Sequence, residues 1–322
     1  MLRKQMIKIY CRISLIFERH VYRKIISKRF EKKYGNLYGQ EIDYIKKIKR
    51  LTVFPYQLNS YVLDDIQTGY DDKVGLHYAV LSNNTHCFGK RYQNEEDIRR
   101  AINALNEEQD EHSPHKYYAG DFRPDQNGIF CDIGCAEAKE AWEIVDVVEE
   151  IFLFECQPEW IEALECSFAD YKDKVHIINS FVSSETDSKK NTVALDELIT
   201  DMKKPLFIKI DVEGEEEKVL CGMRNILEQH DNIKVAVAVY HTQSGAEACK
   251  EYLEQLGFDC SFSDGYMCFY YDKIWRFKEP YFRRGVLSVR RQTVGGANRT
   301  LISVETPPRS CRIGTCRRLS AE

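Results

Sequence analysis

Several residues able to do chemistry stand at the ends of short apolar runs in this 322-residue chain. Asp132 sits near the end of Ile129-Phe130-Cys131-Asp132-Ile133, just before Gly134, and Glu137 follows three residues later. A glycine there lets backbone approach a ligand closely. The two carboxylates suit a ligand carrying a sulfonium and an ammonium group and would repel a diphosphate. The G-x-G-x-x-G fingerprint of nicotinamide folds is absent, which leaves an NAD-dependent dehydrogenase as the weaker alternative. Glu155 closes Ile151-Phe152-Leu153-Phe154, where a carboxylate can accept both hydroxyls of a ribose. Asn179 and Ser180 end a third run and are candidates to meet an adenine. Asp211 and Glu213 follow Phe207-Ile208-Lys209-Ile210, and His241 follows Val235–Tyr240. An imidazole titrates near working pH and can serve as a base. Asp211 and Glu213 could orient an acceptor, and no metal is expected on so small a donor set.

These residues meet only if the chain between them builds a sheet. From Gly128 onward short apolar runs alternate with helical stretches, the pattern of a mostly parallel sheet covered by helices. Strands are expected at Ile129–Ile133, Ile151–Glu155, Val175–Asn179, Leu206–Asp211 and Val235–Tyr240, then an antiparallel pair near Cys260–Ser263 and Tyr266–Tyr271. Helices are expected at Glu137–Val148, Glu159–Phe168, Ala194–Asp201, Glu215–Glu228 and Gly245–Leu256. Such a pattern predicts an α/β fold, a Rossmann-like class I methyltransferase sheet of seven strands with a terminal antiparallel pair. In an open parallel sheet the ligand lies beyond the carboxyl ends of the strands, where all of these residues fall.

The run Phe207-Ile208-Lys209-Ile210-Asp211-Val212-Glu213-Gly214-Glu215 resembles the hallmark of the FkbM methyltransferase family. The resemblance extends to Asp132-Ile133-Gly134, Phe154-Glu155, Trp160–Leu164, Leu195-Asp196, Tyr240-His241 and Tyr281-Phe282-Arg283-Arg284-Gly285, in order over residues 113 to 286. It implies methyl transfer from S-adenosyl-L-methionine to an oxygen, often a sugar hydroxyl of a glycan or small molecule. Cofactor binding would fall to Asp132, Gly134, Glu137, Glu155, Asn179, Ser180 and Asp211, and catalysis to Asp211, Glu213 and His241. Where the family commonly has a second glycine, this chain has Ala138, which keeps a non-catalytic scaffold built on a decayed domain as an alternative.

Four segments are expected: a basic helical segment over 1–50, a small mixed segment over 51–120, the methyltransferase domain over 121–284 and an Arg-rich tail over 285–322. The net charge of −5 argues against nucleic acid as the partner. Residues 6–30 read as a basic amphipathic helix suited to the protein body, a second copy or a membrane surface. The 12 scattered cysteines read as reduced core residues of a cytoplasmic protein, associated at most with a membrane surface. The segment 51–120 should hold a strand at Leu76–Leu81 and a helix at Glu95–Glu107.

Overall fold

The computed structural model describes residues 23–48, 52–59, 66–81, 84–241, 243–269 and 281–291. Two helices, α1 (Arg23–Tyr34) and α2 (Gly39–Lys47), precede a small sheet of β1 (Thr68–Asp71), β2 (Leu76–Leu81) and β3 (Asn84–Phe88) and the helix α3 (Glu95–Glu108). The larger part then runs β4 (Ile129–Ile133), α4 (Lys139–Ile144), β5 (Glu150–Phe154), α5 (Pro158–Ser167), β6 (Val175–Ile178), β7 (Phe181–Val182) and β8 (Thr192–Val193). It continues with β9 (Leu206–Ile210), α6 (Glu216–Gly222), α7 (Arg224–Gln229), β10 (Ile233–Ala238), α8 (Gln243–Gln255) and β11 (Phe258–Phe262). Three short strands end it, β12 (Met267–Cys268), β13 (Phe282–Arg283) and β14 (Val286–Arg291).

The main sheet has the order β11-β14-β10-β9-β4-β5-β6. Its central strands are parallel, and β14 alone runs antiparallel to both of its neighbours. This is the class I methyltransferase arrangement, with the last strand inserted between the fifth and sixth. Every residue of β4 and β9 is buried, as parallel strands covered on both faces require. Alternate side chains feed two cores. Ile129, Cys131, Ile208, Ile210 and Val235 pack under α6, α7 and α8, while Phe130, Phe207, Ala236 and Ala238 pack with α4, α5 and the approach segment Tyr117–Phe122.

The sheet corrects the expected terminal pair. Phe258–Phe262 pairs with Val286–Arg291, and Met267–Cys268 pairs instead with Phe282–Arg283 in a sheet of its own. The boundary placed at 284 therefore moves, because Val286, Leu287 and Val289 are fully buried between β10 and β11. The remainder of the tail, 292–322, lies outside the described residues, as does 6–22 of the basic helix. The described part, α1 with α2, packs Ile26, Phe30, Ile42 and Ile45 on Tyr281 and Phe282.

Two helices differ from expectation. Ala194–Asp201 forms a single 3-10 turn, Leu195–Glu197, and the Asp196 carboxylate caps α7 by accepting from the amides of Asn225 (3.0 Å) and Ile226 (2.9 Å). The expected helix Glu215–Glu228 is divided at Met223, just after Gly222 packs directly against the Ser183 carbonyl. The cysteines are not all reduced, since Cys87 of β3 is disulfide-bonded to Cys166 of α5. No helix among the described residues is long and apolar enough to cross a membrane.

Candidate active site

The turn after β4 is built around Gly134, whose φ is +76°. A side chain there would place its Cβ 1.9 Å from the Asp211 carbonyl oxygen, so the close approach of two strand ends admits only glycine. The Asp211 amide in turn donates to the Ile133 carbonyl at 2.9 Å. The loop then takes left-handed backbone at Ala136 (φ 44°) and Ala138 (φ 54°). Ala138 thus occupies a position that favours glycine, at a cost of roughly 1–2 kcal/mol for an L side chain.

Glu155 braces this loop. Its carboxylate accepts from the amides of Ala136 (3.1 Å) and Gln157 (2.8 Å). Asn179 donates to the Glu155 carbonyl at 2.7 Å, and Ser180 donates to the Asn191 side chain at 3.0 Å. Glu137 turns toward the N-terminal segment, where it accepts from the Tyr92 hydroxyl and from Arg91.

Asp132 and Lys209 are direct partners across β4 and β9, and both are buried. The Lys209 ammonium donates to Asp132 Oδ1 at 2.7 Å and to the Gly134 carbonyl at 3.0 Å. Burial pushes the ammonium down, but the carboxylates of Asp132, Glu140 and Asp211 outweigh it and hold Lys209 protonated. Burial pushes the Asp132 carboxyl up and Lys209 pulls it back. The nearby carboxylates of Asp211 and Glu155 add to the upward push, and the Asp132 carboxyl ends above its ordinary value. Asp132 Oδ2 is buried with no hydrogen-bond partner.

Asp211 is more completely surrounded. Tyr117 donates to its Oδ2 at 2.8 Å and Tyr240 to its Oδ1 at 3.2 Å. His115 Nε2 lies 3.6 Å from Oδ2 and His241 Nε2 lies 3.5 Å from Oδ1. Burial alone would push this carboxyl up; His115, then Lys209 and His241, reverse that and hold it well below the usual range. The two phenols are pushed up, first by burial and then by the Asp211 charge, so they remain donors.

His241 also faces Glu213 Oε2 at 3.6 Å through Nε2 and Glu216 Oε1 at 2.9 Å through Nδ1. Burial pushes its imidazole down, but Glu216, then Asp211 and Glu213, raise it above the ordinary value. Glu213 carries a left-handed φ of 55° and its side chain is 92% exposed. Arg283 donates to the carbonyls of Tyr240 (3.1 Å) and His241 (3.2 Å), tying the end of β10 to β13.

The structure thus brings Asp211, Glu213 and His241 together, and sets Gly134 against the Asp211 backbone. Sequence reasoning missed Lys209, Tyr117 and Glu216. A lone lysine inside Leu206-Phe207-Ile208-Lys209-Ile210 was the available signal, because a buried charge needs a partner. Among the described residues no group of three or more His, Cys, Asp or Glu side chains is placed to hold a metal ion.

The sequence profile of the FkbM methyltransferase domain matches residues 82–260, more than half of the chain. The chain belongs to the FkbM methyltransferase family. Similar solved structures include an FkbM methyltransferase from Methylobacillus flagellatus KT, at 17% identity and a TM-score of 0.41, covering 62% of this chain and 56% of that one. Precorrin-6y C5,15-methyltransferase from Geobacter metallireducens GS-15 is 13% identical with a TM-score of 0.34, covering 63% of this chain and 94% of that one. A Streptococcus mutans protein assigned as a methyltransferase, in complex with SAH, is 13% identical with a TM-score of 0.35, covering 53% and 92%. This chain therefore spans little more than half the length of the Methylobacillus family member. No curated protein matches it significantly. The class I assignment rests on the strand order itself.

Proposed function

We propose that this family member transfers the methyl group of S-adenosyl-L-methionine to an oxygen, with a sugar hydroxyl of a glycan or small molecule as acceptor. The observation that carries the reading is the backbone contact at Gly134, which sets the expected cofactor loop against the Asp211–His241 cluster. The residues suit the cofactor. Asp132 Oδ2, buried and unpartnered, can accept from an ammonium group, and Glu155 stands at the next strand end for the ribose. Asn179 and Ser180, just past the end of β6, are the residues we assign to the adenine.

When bound, the cofactor supplies an electrophilic methyl on a sulfonium, so the protein needs positioning and a base rather than a covalent intermediate. In our reading the Glu216 carboxylate, 2.9 Å from Nδ1 of His241, favours the tautomer with its proton on Nδ1, which leaves Nε2 as the proton acceptor. Nε2 would take the proton of the acceptor hydroxyl, while the bound cofactor would supply the methyl group and retain the bonding pair on its sulfur. Glu213, exposed at the rim, orients the acceptor, and ionised Asp211 stabilises the imidazolium. Ala136 and Ala138 keep the loop in glycine-like geometry despite their side chains, which favours this reading over a decayed scaffold. The Cys87–Cys166 bond is a reason to place the chain where thiols oxidise rather than in the cytoplasm.

Calorimetry with S-adenosylhomocysteine tests the cofactor. Glu155→Ala should weaken binding at least tenfold, and wild-type protein that gives no binding at all would overturn the proposal.

A further inference from the structure

A groove between α3 and α4 has no role in the methyl-transfer reading. It consists of two adjoining cavities of about 350 and 370 Å³ that share Asn106, Lys139 and Glu143. Each is within the range of small-molecule pockets, roughly 300–1,000 Å³. None of Asp132, Gly134, Glu155, Asp211 and His241 lines either one.

The lobes differ in chemistry. One is walled by Ile66, Leu81, Ile102 and Leu105, and His86 and Trp142 also line it. His86 is 1% exposed, yet neither ring nitrogen makes a hydrogen bond of proper geometry, and the Trp142 indole nitrogen is buried without a partner as well. Leaving such groups unsatisfied costs about 1–3 kcal/mol each. Burial, then the Lys139 charge, pushes the His86 imidazole down to about 3, so it offers a neutral donor and acceptor. The other lobe is lined by Gln109, Lys116, Tyr118 and Arg123. Lys139 is already paired with Glu143. Neither Lys116 nor Arg123 has a carboxylate partner among the described residues, so this lobe carries two uncompensated positive charges.

We propose that the groove is a second ligand site that takes an amphiphilic anion. Its apolar body lies in the His86–Trp142 lobe, where an oxygen can meet the indole N–H and the imidazole, and its carboxylate or phosphate lies in the Lys116–Arg123 lobe. An apolar ligand without charge would leave the cations unused, and a small anion alone would leave the apolar lobe and its unpaired nitrogens unfilled.

Calorimetry and tryptophan fluorescence on the full chain, with dodecanoate, dodecyl phosphate, neutral dodecyl maltoside and inorganic phosphate as probes, test this. One or both anionic amphiphiles should bind at least tenfold more tightly than the maltoside, the preferred one identifying the headgroup. Lys116→Glu with Arg123→Glu, both changes at polar groove positions, should remove that preference. Asn106→Trp should block the junction and weaken binding at least tenfold, whereas Asn106→Ala should bind as wild type. Trp142→Phe should abolish the fluorescence response. Affinity for S-adenosylhomocysteine, measured in parallel, should stay unchanged in every variant, so this inference and the methyl-transfer reading fail separately. Binding of both anionic amphiphiles no tighter than that of dodecyl maltoside, retention of the preference after charge reversal, binding of inorganic phosphate alone, or no heat with any probe would overturn the proposal.

Discussion

Asp132 and Asp211 stand at the ends of neighbouring strands, yet the molecule treats the two carboxylates differently. Asp132 has one ammonium partner and one oxygen with no hydrogen bond, while Asp211 accepts from two tyrosines and faces two histidines. Burial drives both upward, and only around Asp211 do the neighbours reverse it. The incomplete shell suits an end of the site that finishes its hydrogen bonding with a ligand. The saturated shell suits an end that must keep its charge through a reaction.

The sharpest break of this contrast would come from removing the support of the Asp211 end. Deleting residues after Gly285 takes away Val286, Leu287 and Val289, each contributing about 1.5–3 kcal/mol of burial, a sum comparable to the whole stability of a domain. Thermal unfolding should show loss of the cooperative transition, and an unchanged melting temperature would refute the role of β14. Next in size is Lys209→Met, which strands the Asp132 carboxylate in the core. A loss of about 3–5 kcal/mol is expected in denaturant titration, and the further change Asp132→Asn should recover much of it.

On the Asp211 side, His241→Ala should lower turnover by roughly 10²–10⁴-fold with little change in cofactor affinity. Because the folded imidazole is raised above its ordinary value, the base is lost as pH falls through that raised value. The acid limb of the rate profile should therefore lie above the ordinary histidine range and vanish in the variant. The sign for stability is opposite: the imidazolium contributes at low pH, and its contribution disappears as pH rises through the folded value. A wild-type limb in the carboxylate range would move the base to another residue. The smallest effect belongs to the cofactor loop, where Ala138→Gly should change stability by about 1 kcal/mol or less, in the stabilising direction. A destabilised variant would show that the Ala138 methyl packs better than its backbone suffers.

The strands were legible because a parallel sheet covered on both faces demands apolar runs, and Ile129–Ile133 was expected to the residue. The acids at their ends followed from the same logic. The last strand was hidden, since Val286-Leu287-Ser288-Val289 is flanked by arginines and its stretch reads as a basic tail. The pairing of Asp132 with Lys209 depends on register between strands 77 residues apart, and Tyr117 reaches Asp211 from 94 residues upstream. No local pattern carries that information. His241 was found as a strand-end residue, but the Glu216 contact that sets its charge comes from the first turn of α6.

The bond between Cys87 and Cys166 closes the chain into a covalent ring across a separation of 79 residues. That ring carries Asp132, Gly134, Glu137 and Glu155, whereas Asp211, Glu213 and His241 lie on the open chain beyond it. A single protease cut inside the ring leaves both pieces joined until a reductant is added. One cut between Cys166 and Asp211 frees the segment holding Asp211, Glu213 and His241 from the ring, so gels run with and without reductant distinguish the two halves of the site by topology alone.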